Sequence, residues 1–184
     1  GFYILVWLFI RRIYSSTHVA VLDHFIADAV RGDFPDAVRD DMLSVVPLPM
    51  IPRERSPRRE GSVRACFIGF DTPNKGFDVF ARIASAVPDI EFRVIGSGQD
   101  KDLATGQARP LVGSEAFMQA VQNCDVAIFP YKGGYRCSLS AAATDAVSAG
   151  LHILAFKREC FVALSHAFGG ETVTLCDDAE EMIA

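Results

Sequence analysis

At 184 residues the chain has room for one full domain and part of another. Half of it is hydrophobic and 22% is charged, which excludes a disordered chain, and a net charge of -5 argues against general nucleic-acid binding, which needs a basic face. The cysteines, Cys66, Cys124, Cys137, Cys160 and Cys176, are widely spaced with no CxxC. That pattern fits reduced thiols in a cytoplasmic protein better than a disulfide framework or a zinc site.

The apolar run Phe2 to Ile10, closed by Arg11 and Arg12, is far shorter than the ~20 residues that span a bilayer. It lacks the leading charges and the small-residue cleavage site of a signal peptide. It reads as a buried helix, continuing to about Tyr14, in a domain whose earlier part is missing. Because the run is apolar on all faces, a membrane-surface contact through Arg11 and Arg12 is the competing reading. A short strand is expected around His18 to Leu22, then a helix from Asp23 to Arg31 with Asp23 as N-cap. A second helical stretch is expected around Pro35 to Met42 and a strand around Leu43 to Pro47. Pro47 to Gly61 holds Pro47, Pro49, Pro52 and Pro57 among arginines, and reads as an exposed interdomain linker. The expected organisation is therefore the end of one domain over 1–46, the linker over 47–61, and an α/β domain over 62–184. The last helix stops early, as in a fragment of a longer chain.

The α/β domain is expected to repeat strand, glycine turn and helix. VRACFIGF leads to DTPNKGFDVFARIASAV, EFRVIGSG leads to a polar loop, and CDVAIFPYKGGYR leads to SLSAAATDAVSAG and the strand LHILAF. Continuous apolar strands separated by helices imply a parallel sheet covered on both faces. A helix over Cys160 to Phe168, a strand over Thr172 to Leu175 and a helix from Asp178 complete the pattern.

Ligands of such sheets bind beyond the carboxyl ends of the strands, and the polar candidates fall there. Lys75 stands at a helix start, where a cation and free amides together suit a phosphate; an isolated Lys-Gly there is more often a solvated lysine. Gly96, Ser97 and Gly98 form a turn that lets backbone approach a ligand, although GxG is commonly only a tight loop. Gly113 and Ser114 open a helix, with Ser114 as the expected N-cap. The richest turn runs from Pro130 to Ser138, with Tyr131, Lys132, Arg136, Cys137 and Ser138, followed by Leu139. A ligand diphosphate is expected there, at the following helix start. Asp145 is the one carboxylate on that small-residue helix. It either faces solvent or accepts from sugar hydroxyls. Asp40-Asp41 and Asp177-Asp178 read as exposed charge pairs, and the scattered histidines suggest neither a metal centre nor a Ser-His-Asp order.

From Leu43 to the end, the order VVPLP, IGF, NKGFD, RVIGSG, VGSEAFMQAVQNCDVAIFPY and DAVSAGLHILA resembles the carboxyl-terminal half of a GT-B glycosyltransferase, of the retaining, nucleotide-sugar-using group. The resemblance implies a Rossmann-like donor-binding domain preceded by a fragment of the acceptor-side domain, with the linker spanning the donor cleft. It implies sugar transfer to a glycan or lipid-linked acceptor, in the cytoplasm or at the inner face of the membrane, with no cofactor and no metal. The donor-binding positions it implies are Lys75, Gly96, Ser97, Gly113, Ser114, Tyr131, Lys132, Arg136, Cys137, Ser138, Leu139 and Asp145. The family has an arginine after the first-strand glycine, where this chain has Phe70. It also has two glutamates with seven residues between them; the second aligns with Asp145, and Cys137 takes the place of the first. A nucleotide-sugar epimerase and a non-catalytic protein of the same fold are the alternative readings.

Overall fold

In the computed structural model the described residues are 12, 16–36, 38–53, 61–133 and 138–184. The chain divides into two compact units, Gly1–Pro49 with Tyr135–Leu139, and Met50–Gly134 with Ser140–Ala184.

In the first unit β1 (Val19–Val21) pairs in parallel with β2 (Leu43–Val45). Helix α1 (His24–Asp33) connects them, and its N-cap Asp23 accepts from the Phe25 amide at 3.2 Å. Ile26, Ala27 and Val30 recur at helical spacing and close a small core with Val21 and Leu43. The expected second helix is confined, among the described residues, to a 3-10 turn at Asp40–Met42. Its N-cap Arg39 is extended, and its guanidinium is bound to Asp41 rather than projecting from a helix. The apolar run before Arg12 lies outside the described residues.

The second unit holds a seven-stranded sheet in the order β6-β5-β4-β3-β7-β8-β9. The strands are β3 (Arg64–Ile68), β4 (Glu91–Gly96), β5 (Gln99–Asp102), β6 (Ala108–Pro110), β7 (Val126–Phe129), β8 (His152–Phe156) and β9 (Val173–Cys176). The pairs β3–β4, β3–β7, β7–β8 and β8–β9 are parallel. Among the parallel strands the chain runs first to one side of β3, then to the other, so the direction of winding reverses between β3 and β7.

Helices α2 (Phe77–Ala86), α3 (Gly113–Gln122), α4 (Ala141–Ser148), α5 (Glu159–Phe168) and α6 (Ala179–Ile183) link or follow these strands. Right-handed crossovers in opposite directions put α2 and α4 on opposite faces. Ala65 and Phe67 of β3 face α2 and α6, where Phe80, Ile83, Ala179 and Met182 fill the core. The alternate residues Cys66 and Ile68 face the other layer, as a period of two requires. Cys66 is fully buried; burial, with Cys124 beside it, pushes its thiol well up. The described cysteines are all free and buried.

The polar loop expected after Gly98 is instead an antiparallel hairpin. Ser97 and Gly98 both have positive φ, 51° and 74°, and join Gly96 directly to Gln99. Two such residues make the tight turn whose twist matches the flanking strands. Asp100, almost fully buried, fastens the hairpin by accepting from Arg93 Nε at 2.9 Å and Arg109 Nε at 2.8 Å.

Candidate functional site

The reversal of winding sets the ends of β3 and β7 side by side, the place where sheets of this kind bind ligands, and loops after those strands form it. After β3 the chain turns at Gly69, passes through a 3-10 turn at Pro73–Lys75 and enters α2 from Gly76, whose φ is 72°. A Cβ at Gly76 would lie 1.9 Å from the Pro130 carbonyl oxygen. Only glycine lets this loop and the end of β7 come so close. The Lys132 amide completes the seam by donating to the Asn74 carbonyl at 3.0 Å.

Lys75 projects back over the end of β3. Its ammonium nitrogen sits 2.6 Å from where a Gly69 Cβ would stand, and 5.8 Å from the centre of the Tyr131 ring. Burial lowers its pKa, since desolvation disfavours the charged form. No carboxylate pairs with it among the described residues. A half-buried cation whose neighbours are a glycine backbone and an aromatic face is poised to accept an anion.

Gly96 closes the other wall. Its role is packing: a Cβ there would lie 2.0 Å from the Gly69 carbonyl oxygen. Ser97 belongs to the hairpin turn. Gly113, with φ 82°, is the first residue of α3. The N-cap is Val112, which makes no side-chain cap bond, so Ser114 is an exposed residue of the first turn and not the cap expected.

The loop after β7 departs most from expectation. Tyr131 is fully buried and packs edge-on against Phe129 and Phe161, so its ring supports the crevice from beneath rather than presenting its hydroxyl to a ligand. Its hydroxyl shares a 3.0 Å hydrogen bond with Ser140 Oγ. Ser140 also accepts from the Ala143 amide, which makes it the N-cap of α4. The helix therefore starts at Ala141 and not at Ser138. Ser138 is exposed and donates to the Leu139 carbonyl, while Leu139 packs on the core of the first unit. Lys132 turns its ammonium to the Asp78 carboxylate. Arg136 and Cys137 lie outside the described residues.

Asp145 is half-buried in the second turn of α4, with no hydrogen bond to its carboxylate among the described residues. Burial raises its pKa and the charge of Arg53 opposes the rise. Phe70, directly after Gly69, is 63% exposed. The structure thus gathers Lys75, Gly69, Gly96 and Tyr131 at the ends of the central strands.

Arg158 has no counterpart among the expected residues. Its Nε donates to the Tyr131 carbonyl at 2.8 Å and its Nη2 to the Lys132 carbonyl at 3.2 Å, so it pins the loop after β7 from the end of β8. An arginine immediately before a helix was the only signal in the sequence. Among the described residues no three His, Cys, Asp or Glu side chains converge as a metal site, and no helix is long and apolar enough to cross a membrane.

Among solved structures, the crystal structure of TarM superposes with a TM-score of 0.61 at 12% identity, over 96% of this chain and 37% of that one. WaaG, a glycosyltransferase involved in lipopolysaccharide biosynthesis, superposes at 0.55 with 14% identity, over 91% of this chain and 52% of that one. The fold is that of a GT-B glycosyltransferase. A mutant TarM from S. aureus, in complex with fondaparinux, alpha-GlcNAc-glycerol and UDP, superposes at 0.53 with 10% identity, over 96% of this chain and 38% of that one. The chain thus spans about half or less of the length of these GT-B proteins. No known family model matches the sequence, and no curated protein matches it.

Proposed function

We propose that this chain is the donor-binding part of a glycosyltransferase, which transfers a sugar from a nucleoside diphosphate to a glycan or lipid-linked acceptor in polysaccharide or glycoconjugate synthesis. The observation that carries the reading is Lys75, a partly buried cation with no carboxylate partner among the described residues, at the point where the winding of a GT-B-like sheet reverses. A diphosphate there gains the ammonium and the amides at the start of α2. As the bond from the anomeric carbon to the diphosphate breaks, the same groups neutralise the leaving charge, without calling on a metal. Asp145 is the acceptor offered to ribose hydroxyls. UDP in the complex of a structural neighbour makes uridine diphosphate the first ligand to try. We place the protein on the cytoplasmic side.

Titration calorimetry with UDP and GDP is the test. Lys75→Gln should weaken diphosphate binding by about tenfold or more, the scale of one charge-assisted hydrogen bond, while thermal stability does not fall, since a desolvated charge is removed. Equal affinity in the variant would sink the reading. The second reading, a non-catalytic binding protein of the same fold, draws on Phe70, which puts an exposed apolar ring where the family has a diphosphate-gripping arginine. Transfer or hydrolysis of a nucleotide-sugar by the protein separates the two.

A further inference from the structure

Arg53 sits in the stretch that reads as linker, yet it is fastened to the α/β unit at two points. Its backbone amide donates to the Ser148 carbonyl at 2.9 Å, and its Nη1 donates to Glu115 Oε2 at 3.2 Å. Ser148 lies three residues after Asp145 on α4, within one helical turn. Glu115 is in the first turn of α3, which packs on α4. Arg53 therefore bridges the two helices within one turn of Asp145. The guanidinium gives its hydrogen bond to Glu115 and makes no direct ion pair with Asp145, yet its charge acts on that carboxyl group.

We propose that Arg53 is a positioning residue for Asp145: anchored to Ser148 and Glu115, it supplies the positive field that keeps the carboxylate charged and leaves both carboxylate oxygens open to ligand hydroxyls. The inference rests on reading the crevice as a nucleoside diphosphate site. The chemistry requires the charge, because a carboxylate accepts from two hydroxyls at once, whereas a protonated carboxyl group loses acceptor capacity. Half-burial works against that charge. On the elements packed against α4, the charged or titratable groups among the described residues are Glu115 on α3 and His152 on β8; β7 carries none, and α4 has no charge besides Asp145. Among the described residues Arg53 is thus the cation that offsets desolvation.

The test uses the whole chain as wild type, Arg53→Gln and Arg53→Lys. The Asp145 carboxyl carbon is titrated by NMR, and UDP affinity is measured by calorimetry from pH 5 to 8. Arg53→Gln should move the titration to higher pH and weaken UDP binding about fivefold near pH 5, the scale of one partly exposed charge pair, with a smaller loss at pH 8. Arg53→Lys should restore both. An unmoved titration, or an affinity loss that is uniform with pH, overturns the proposal by reducing Arg53 to a structural tie. If wild type binds no nucleotide, the reading of the crevice falls, and the titration by itself decides whether Arg53 governs Asp145.

Discussion

Replacing Gly96 by alanine tests how the crevice wall is built. The backbone at Gly96 has no positive φ, so alanine is compatible with it and the effect is steric. The new Cβ would lie 2.0 Å from the Gly69 carbonyl oxygen and 2.6 Å from its carbon. To reach ordinary contact the two backbones must part by roughly 1 Å or more. That strains the 2.8 Å hydrogen bond from the Gly69 amide to the Ile95 carbonyl and displaces the glycine on which the Lys75 ammonium rests. Overpacking of this kind costs about 1–3 kcal/mol, and a disturbed hydrogen bond about 1 more. In a chain of this length the sum lowers Tm by about 4–16 °C. Gly98→Ala is the control. Nothing lies within 4 Å of its Cβ position, so only the strain of φ 74° remains, at roughly 1–2 kcal/mol. Calorimetric melting with UDP titration should show Gly96→Ala losing stability and ligand together, and Gly98→Ala losing some stability with affinity intact. A Gly96→Ala protein with wild-type Tm and wild-type affinity would refute the close approach of β3 and β4 as the basis of the site.

Ser140→Ala removes the N-cap of α4 and the partner of the Tyr131 hydroxyl, and should cost about 1–2 kcal/mol in chemical denaturation. In a cycle with Tyr131→Phe the two losses should fail to add, because they share one bond. Asp145→Asn should melt higher than wild type at pH 7. Burial raises the Asp145 pKa, so its contribution to stability is full below the ordinary carboxylate range and is lost as pH rises through the raised value. The difference in Tm should therefore vanish in acid, and UDP binding should weaken in the same variant. Phe70→Arg changes an exposed position, so Tm should stay within about 2 °C while diphosphate affinity rises, as calorimetry would show.

Much of the α/β unit was legible because its strands are continuous apolar runs and its helices carry apolar faces at helical spacing. Lys75 and the glycines at strand ends were legible for the same reason: topology puts them at the crevice. The hairpin after β4 was not, because QDKD and ARP are polar strands held by ion pairs to the buried Asp100 rather than by hydrophobic alternation. Tyr131 beside Lys132 looks like a polar pair in sequence, yet one is core and the other is tied to Asp78. Nothing local distinguishes them; the aromatic neighbours Phe129 and Phe161 decide it. Arg53 was hidden for the opposite reason, since proline-rich, charged composition describes a linker well and does not reveal which arginine is bound.

The β5–β6 hairpin has a consequence for how the protein behaves at high concentration. A parallel sheet that stopped at β4 would end in a long row of open amides and carbonyls beside apolar side chains, a template for another chain. The hairpin replaces that rim with β6, only three residues long, exposed throughout and ending in Pro110, which has no amide to donate. Arg109, with its charge held over Asp100, adds a further barrier. Aggregation by strand addition is thereby blocked at that rim, and the lock is Asp100, the buried carboxylate that keeps the hairpin folded against the sheet.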